Sequence, residues 1–520
     1  MNLPTPDVIE PRPIVRATRR AWFGLAVLGL PTVLLALDLS VVYLALPRLS
    51  TDLGASSVQQ LWITDIYGFV TAGFLITMGT LGDRIGRRKL LLIGAAAFAA
   101  TSVLAAYSRS PAMLIGARAL MGLAGATLMP STLALISNMF REPRQRATAI
   151  AVWTSCFMVG AAVGPIVGGA LLEHFWWGSL FLIAVPVMLL LLVSAPFALP
   201  EYRNVAAGQL DIPSVGLSLA AVLPVIYAIK SLSSGGSTVV AAAAAAAGIT
   251  AGVVFTRRQR GLASPLLDMR LFRNRAFSAA LLILMLGVAT QGGIMLLVSE
   301  QLQIVAGLSP LQAGWALMPA SVAMIAGCVL APVAGRWIRH EWIISTGLAI
   351  TALGYVLLAR VEVPGHEAPL VVGAIVVFFG VGPMAVFNQD LIVGSVPPEK
   401  AGTAAALSEA SGDFGIALGV AIFGSISNAI YGHRLATLRF SLPRPLARLA
   451  RESFVGASEV TRLLPAPLGA DVLSRARPAF TAGLHAAAIY SAIISVGLAI
   501  AAATLLSGQR TPTDSHTARP

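Results

Sequence analysis

Four carboxylates fall inside stretches of the sequence that are otherwise apolar enough to cross a membrane. Asp38 is the only charge in LALDLSVVYLALP (35–47), and Asp65 follows LWIT in a second apolar stretch. A carboxylate at the bilayer centre costs about 2.5–3.5 kcal/mol on insertion scales, so such residues are functional by default. The chemistry that they offer is reversible binding of a proton or pairing with a cationic ligand.

The other two carboxylates lie in ALSEASGDFG. Glu409 and Asp413 are four residues apart, which places them on one helix face. Because two negative charges this close repel, we expect one of them to hold a proton near neutral pH. A structural network of these acids with Arg118 or Asn388 is the alternative.

A basic residue also lies within an apolar stretch. Arg118 is part of LIGARALMGLAGATLMPS (114–131), where Gly122 and Gly125 leave space beside it. A buried guanidinium needs a partner, and we interpret Arg118 as the group that controls proton release from a nearby carboxylate. A structural arginine satisfied by backbone carbonyls is the alternative.

A third motif, GTLGDRIGRRKLLL (79–92), joins two apolar stretches and combines spaced glycines with charges. A positive membrane anchor would explain its basic residues, but not Asp83 or the glycine spacing. We predict a charge latch that forms in one conformation and breaks in another. The residues predicted to take part in this gating are Gly79, Gly82, Asp83, Arg84, Gly86 and Arg87.

A fourth motif, GAAVGPIVGG (160–169), removes side chains from one face of a helix. Gly160, Gly164 and Gly168 recur every four residues, and Pro165 adds a point for a kink. We predict that this face seals against the other half of the protein and bends during gating. Tight helix packing alone is the alternative.

The elements that carry these motifs are membrane spans. Of the 520 residues 57% are hydrophobic and 11% are charged, against about 25% charged in soluble proteins. Fourteen apolar stretches of about 20 residues are arranged as 6 + 2 + 6, so we predict an all-α polytopic membrane protein. The predicted parts are a tail (1–20), a six-helix bundle (21–200), a two-helix insert with linkers (201–262), a second six-helix bundle (263–508) and a tail (509–520).

The distribution of charge predicts the orientation of the chain. The net charge is +13, and most of the 36 Lys and Arg residues fall in segments on one side of the spans. By the positive-inside rule that side is cytoplasmic and holds both termini, so nucleic acid is not an expected partner. Residues 430–480 are expected to form an external loop, which is solvated, contains short amphipathic helices or caps the outer mouth. Cys156 and Cys328 lie in spans, so no disulfide or metal site is expected.

Together the motifs resemble those of a known family. LDLSVVYLALP, GTLGDRIGRRKLLL, LIGARALMGLAGATLMPS and GAAVGPIVGG are similar to the signature motifs of drug:proton antiporters in the major facilitator superfamily. Fourteen spans point to the branch that contains the Qac, Smv and Lfr multidrug exporters. The resemblance implies export of lipophilic cations, such as quaternary ammonium compounds and dyes, in exchange for protons across the bacterial inner membrane.

The resemblance also implies roles for residues, and it has two departures. It implies that Asp38 is the protonated acid of the first span. Many members have Asn where this chain has Tyr43, and some carry an acid in the stretch 319–327, which here has none. The substrate-binding residues that we predict are Asp38, Tyr43, Asp65, Trp153, Phe157, Asn388, Glu409 and Asp413.

Other interpretations lead to different proteins. The aromatic candidates could instead pack in the interior or face lipid. An exporter of a specific lipid, siderophore or antibiotic, without preference for cations, is the alternative function. The sequence offers no soluble output domain for a sensor and no catalytic triad, metal spacing or phosphate loop for an enzyme. We therefore expect a monomeric transporter that needs no cofactor.

Overall fold

The structure is all-helical, as predicted. This computed structural model describes residues 17–506 except 56, 204–210, 234–236, 263–264, 309, 362–367, 398–399, 437–442, 444–445, 447–449 and 452–453. Within these residues, fourteen helical spans are long and apolar enough to cross a membrane, and no strand occurs.

The first six spans form the N-terminal half. They are α1 (Arg19–Leu53), α2 (Ser57–Ile85), α3 (Arg87–Ala106), α4 (Pro111–Met139), α5 (Pro143–His174), and a sixth span that consists of α6 (Ser179–Leu182) and α7 (Ala184–Ala198). The two-helix insert follows as α8 (Ile212–Ser233) and α9 (Thr238–Gly261).

The C-terminal half repeats this plan with six further spans. They are α10 (Arg275–Glu300), α11 (Pro310–Ala334), α12 (His340–Leu358), α13 (Ala368–Gly394), α14 (Ala401–Ala436) and α16 (Ala466–Leu505), with the short helix α15 (Phe454–Arg462) before the last. Since successive spans alternate in direction, α1 begins and α16 ends on the same side, which we call the termini side.

The two halves share one packing pattern. In the N-terminal half α1 packs on α5 and α2 on α4, and in the C-terminal half α10 packs on α14 and α11 on α13. The halves meet where α2 packs on α14 and α5 on α11. This order brings α14, with Glu409 and Asp413, against α2, with Asp65, and α14 also contacts α4, which carries Arg118.

Glycines permit the closest approaches within each half. A Cβ at Gly160 would overlap Val33 and Ala36 of α1, and a Cβ at Gly419 would overlap Ala289 of α10. The prediction that the Gly160 face seals against the other half is therefore wrong at Gly160, which packs inside its own half. The spacing of the glycines shows that one face of the helix lacks side chains, but it does not show which helix packs against that face.

The insert lies at the periphery of the bundle. Its helices pack on each other, and α8 also contacts α2 and α14. Only 17% of the apolar window of α9 is buried, so most of that helix faces the surroundings. Arg258 donates hydrogen bonds to both carboxylate oxygens of Asp211 at 2.8 and 3.0 Å, which holds the pKa of Asp211 below its ordinary value.

A buried glutamine ties the insert to the linker that follows it. Gln259 donates to the Ser214 hydroxyl at 2.6 Å and accepts from the backbone N–H groups of Leu266 and Leu267 at 2.7 and 3.2 Å. The Thr80 hydroxyl of α2 donates to the Leu266 carbonyl at 2.8 Å. The linker is thus held at once by the insert and by the N-terminal half.

The same linker also binds the C-terminal half through Asp268. This residue forms an ion pair with Lys400, immediately before α14. Partial burial opposes ionisation of Asp268, but the hydrogen bonds from Lys400 and from the backbone of Arg270 leave its pKa below the ordinary value. The ion pair is therefore formed at neutral pH.

Removal of the Gln259 amide should destabilise the protein. Gln259→Leu leaves the N–H groups of Leu266 and Leu267 buried without an acceptor, and we expect a loss of about 1–3 kcal/mol in the free energy of unfolding. The measurement is thermal unfolding of the purified protein in detergent. Arg260→Gln changes an exposed residue of the same helix and should have little effect. Equal unfolding temperatures for the two variants would contradict this prediction.

The described part of the segment 430–480 contains a short helix, which is one of the alternatives expected for it, rather than a solvated loop throughout. Helix α14 continues to Ala436, α15 is short, and α16 begins at Ala466, so both long helices extend into this segment. The Tyr431 hydroxyl donates to the Ala450 carbonyl at 2.8 Å, and the ring of Phe454 lies 5.3 Å from that of Phe480. Because these apolar groups pack on the ends of α14 and α16, the described part of the segment is folded.

Candidate functional site

The predicted anionic partner of Arg118 is Asp38. The Arg118 Nη1 atom of α4 donates to Asp38 Oδ2 of α1 at 2.7 Å, and Nε donates to the Ile63 carbonyl of α2 at 3.4 Å. Asp38 is 8% exposed and Arg118 only 1%. Loss of either partner would leave the other charge uncompensated in a site of low dielectric constant.

A tyrosine that the sequence analysis did not identify completes this pair. The guanidinium carbon of Arg118 lies 4.7 Å from the centroid of the Tyr67 ring and 5.9 Å from that of Phe181. Both are distances at which a cation is attracted by an aromatic face. Tyr67 is on α2, two residues after Asp65, and is buried. Arg118 is therefore held by a carboxylate, a carbonyl and two aromatic rings.

Two glycines of α4 make room for this tyrosine. A Cβ at Gly125 would lie 2.7 Å from the Tyr67 hydroxyl oxygen, and a Cβ at Gly122 would overlap the Tyr67 backbone. The Thr71 hydroxyl donates to the Gly122 carbonyl at 3.1 Å and lies within hydrogen-bonding reach of the Tyr67 hydroxyl. The space that the sequence predicts beside Arg118 is thus filled by Tyr67. The sequence feature that indicates a large side chain at this place is the pair of glycines, Gly122 and Gly125, that follows the buried arginine.

The acids of the C-terminal half lie on the helix that packs against α2. Glu409 is half-buried and hydrogen-bonds to Gln389 of α13, which also accepts from the Ser408 hydroxyl at 2.6 Å. Asp413 is exposed and lies one turn along α14 from Glu409. Because α14 packs on α2 and also contacts α4, which carries Arg118, an exposed carboxylate on this helix is placed to face an opening between the halves.

The aromatic candidates of α5 are placed differently from each other. Trp153 is 3% exposed, and its indole N–H donates to the Thr132 hydroxyl of α4 at 3.1 Å. This placement favours the packing alternative for Trp153 in the present conformation. Phe157, one turn later, is half-buried.

The remaining predicted binding residues do not form one cluster. Asn388 is fully buried near the termini side of α13, and neither of its amide atoms has a hydrogen-bond partner within the described part of the chain. Asp65 is half-buried on α2. Tyr43 belongs to α1, but its side chain lies outside the described part of the structure.

The residues of the predicted charge latch lie at the half interface on the termini side. Asp83 Oδ2 accepts from the backbone N–H and the hydroxyl of Thr403, at 3.1 and 3.0 Å, in the first turn of α14. Arg87 Nε donates to Asp83 Oδ1 at 2.9 Å. A carboxylate at the positive end of a helix is stabilised. A Cβ at Gly79 would overlap Ala406, so the glycine lets α2 and α14 approach.

The other residues of this motif shape the turn between α2 and α3. Gly86 has a φ of +114°, and a Cβ there would overlap Glu201, whose carboxylate caps α3. Gly82 leaves room for the guanidinium of Arg87. Arg84 is half-buried in the last turn of α2. Gly82 and Gly86 therefore permit the turn between α2 and α3, whereas Gly79 permits the close contact between the halves.

A second contact between the halves was missed by the sequence analysis. Arg146 Nε of α5 donates to Asp390 Oδ1 of α13 at 2.5 Å, and the two residues are 244 positions apart in the chain. Asp390 is 4% exposed. With the Asp83–Thr403 contact, this ion pair joins the two halves on the termini side. The opening at Asp413 lies farther along α14, toward the opposite side.

In the last predicted motif, Gly164 and Gly168 are buried on α5, and the side chain of Pro165 lies outside the described part.

Cys156 and Cys328 are free thiols. Among the described residues, no group of three or more His, Cys, Asp or Glu side chains is arranged to hold a metal ion.

Comparison with known proteins identifies the family. Residues 28–420 match the sequence profile of the Major Facilitator Superfamily. The chain belongs to this superfamily. It is therefore a multi-pass membrane transporter with fourteen spans rather than an enzyme, and superfamily efflux pumps move small substrates across membranes.

Relatives within the superfamily are drug exporters. The chain is 42% identical over 485 residues to the multidrug efflux pump LfrA of Mycolicibacterium smegmatis, covering 93% of this chain and 96% of that protein. It is 32% identical over 490 residues to the methyl viologen resistance protein SmvA of Salmonella typhimurium, covering 92% and 98%. The resemblance inferred from the motifs is thereby confirmed.

A solved structure supports the fold. The crystal structure of the human organic anion transporter MFSD10 (TETRAN) aligns with a TM-score of 0.60 at 16% identity, over 96% of this chain and all of that one. At this identity the similarity establishes the superfamily fold and carries no information about the substrate.

Proposed function

We propose that the protein is a proton-coupled multidrug efflux antiporter that exports lipophilic cations by alternating access. The observation that carries this proposal is the set of acids at the half interface. Asp413 is exposed on α14, Glu409 is one turn away, and Asp38 of the other half is paired with Arg118. Intramembrane carboxylates that face a cavity serve proton or cation pathways.

Competition between protons and cations for these acids would couple the two movements. When the site faces the cytoplasm, ionised Glu409 or Asp413 pairs with a cation whose apolar parts contact aromatic and aliphatic walls. When it faces outward, external protons neutralise the acids and the cation loses its counter-charge. A protonated site then returns inward, because a proton and a cation do not occupy the carboxylate together.

The proposed orientation places the termini side in the bacterial cytoplasm. Basic residues cluster on that side, for example Arg87, Arg146 and Arg258, which the positive-inside rule assigns to the cytoplasm. The contacts Asp83–Thr403 and Arg146–Asp390 would then be the inner gate. The present conformation would be closed to the cytoplasm, and rocking of the halves about the central acids would open it.

Inverted membrane vesicles provide the direct test. We expect that ethidium, a fluorescent lipophilic cation, enters energised vesicles that contain the protein and lowers their pH gradient, read with a pH-sensitive dye. The proton gradient drives uptake because each unit of pH is worth about 1.4 kcal/mol per proton. Vesicles without the protein are the control. Ethidium uptake that persists after an ionophore has abolished the proton gradient and membrane potential would refute the proposal.

A second candidate is a more specific exporter of an antibiotic. The chain is 30% identical over 504 residues to the tetracenomycin C resistance and export protein of Streptomyces glaucescens, covering 95% of this chain and 93% of that one. The same vesicles separate the candidates. Proton release by several unrelated cations supports the first, whereas release by one neutral or anionic compound alone supports the second.

A further inference from the structure

We propose that residues 265–273, which join the insert to α10, form a strap that bridges the two halves beside the proposed gate and has to release Lys400 before the termini side opens. This inference adds a part to the gate of the proposed function and therefore rests on that function. The strap lies on the termini side because α9 ends there and α10 begins there. It gives the two-helix insert a mechanical part in the transport cycle.

The strap runs parallel to a direct contact between the halves. Asp83 of α2 accepts hydrogen bonds from Thr403 of α14. Thr80, three residues earlier on α2, donates to the Leu266 carbonyl of the strap at 2.8 Å. Lys400, three residues before Thr403, forms an ion pair with a carboxylate of the strap. The same two helix ends are thus joined once directly and once through the strap.

The strap has little slack between these two attachments. One residue, Leu267, separates Leu266 from Asp268, so the chain between the attachments spans at most about 7 Å. The Gln259 side chain of the insert accepts from the N–H groups of Leu266 and Leu267 at 2.7 and 3.2 Å, and both leucine side chains are buried. When the halves separate at this end, one of the two attachments therefore has to break.

The attachment at Lys400 is the weaker of the two. The side chains of Lys400 and Asp268 are 40% and 20% exposed, so water solvates both charges once they separate. Ion pairs that water can reach contribute little to stability. The hydrogen bond from Thr80 to Leu266 is buried, and its loss would leave the Leu266 carbonyl without a donor away from water. Opening therefore breaks the ion pair and leaves the strap attached to α2 and to the insert.

A short 3-10 helix supplies the length that opening needs. Residues Met269–Arg273 form this helix, and none of them is buried. Asp268 caps it by accepting from the backbone N–H of Arg270 at 2.9 Å, so one carboxylate holds both the helix and Lys400. A 3-10 helix rises about 2.0 Å per residue and an extended chain about 3.3 Å, so unwinding its five residues adds roughly 6 Å. The C-terminal half can thus move away from Leu266 while α10 stays intact.

Asp268→Asn tests the ion pair and keeps the cap, because asparagine caps helices about as well as aspartate. We expect the ratio of open to closed molecules to rise about two- to fivefold, measured as a longer distance between spin labels at Arg141 of the N-terminal half and Pro397 of the C-terminal half. Asp211→Asn is the matched control, because it breaks an ion pair with Arg258 inside the insert and should leave this distance unchanged. Equal distance distributions in Asp268→Asn and the wild type would overturn the inference.

A cleavable cross-link between the strap and the start of α14 tests whether release is required. In protein whose two native cysteines are replaced by alanine, Asp268→Cys and Lys400→Cys are joined by a short bis-maleimide that contains a disulfide. We expect ethidium-driven proton movement in inverted vesicles to fall at least about tenfold on cross-linking, because alternating access requires this side to open. It should return when a reductant cleaves the cross-link.

The control for this experiment uses the same reagent within the insert. Arg258→Cys and Asp211→Cys replace an ion pair whose side chains are 39% and 20% exposed, nearly the same as those of the strap pair. Because this cross-link does not join the halves, it should not slow transport. Transport at the unmodified rate in protein with a fully cross-linked strap would contradict the inference.

The outcomes separate this inference from the proposed function. Wild-type vesicles without ethidium-driven proton movement refute the proposed function, whereas the spin-label distance still decides on the strap, since it does not depend on the transported compound. Wild-type vesicles that show this movement, with an unchanged distance in Asp268→Asn or undiminished transport after cross-linking, refute the inference alone. A longer distance together with reversible inhibition by the cross-link supports it.

Discussion

Asp38→Asn is expected to abolish proton-driven efflux while the protein stays in the membrane. Asparagine has nearly the same size but no charge, so the proposed proton-exchanging group is lost and Arg118 keeps its guanidinium without a counter-charge. Breaking a buried pair on one side costs about 3–5 kcal/mol, and loss of proton transfer costs about 100-fold or more in rate. The measurement is ethidium efflux from energised cells, with the amount of membrane-inserted protein as reference.

Two further variants separate the loss of coupling from the loss of stability. Asp52→Asn changes an exposed carboxylate on the same helix α1 and should leave efflux unchanged. Asp38→Asn combined with Arg118→Gln removes both charges, so we expect the unfolding temperature to recover in part while efflux stays absent. Efflux at the wild-type rate in Asp38→Asn would show that another group carries the proton.

The spans could be predicted from the sequence because their signal is local. About 20 apolar residues cross a bilayer wherever they occur in the chain, and this alone gives the 6 + 2 + 6 order. The charged residues Asp38, Arg118, Glu409 and Asp413 were identified for a related reason, since each stands out against an apolar background. Charged residues, which cost free energy when they lie in a membrane, can be recognised in the sequence without knowledge of the fold.

Contacts between distant residues could not be predicted in the same way. Asp38 and Arg118 are 80 residues apart, and Arg146 and Asp390 are 244 apart, so only packing of the halves pairs them. Tyr67 is missed because an aromatic residue in an apolar helix has the same pattern whether it fills space or holds a guanidinium. The direction of the Gly160 face is ambiguous for the same reason.

The second large effect is expected at the contact between α5 and α13. Asp390→Asn should open the termini side, because the Arg146–Asp390 ion pair joins the two halves there and its side chains are only 18% and 5% exposed. A loss of about 1–3 kcal/mol would shift the ratio of closed to open molecules by a factor of about 5–150. Spin labels at Arg141 of the N-terminal half and Pro397 of the C-terminal half would show this opening. The measured quantity is the distance between the two labels in pulsed electron paramagnetic resonance, which should increase.

Exchange of the two charges tests whether the ion pair itself is responsible. Arg146→Asp alone leaves two carboxylates facing each other and should favour the open state most strongly, whereas Arg146→Asp with Asp390→Arg should restore part of the short distance. Asp83→Asn should also weaken the closed state, since a neutral amide is a poorer cap for α14 than a carboxylate. Because the two contacts lie on different helix pairs, their effects should add. A distance distribution that does not change in any of these variants would mean that apolar packing between α2 and α14, rather than charge, keeps this side closed.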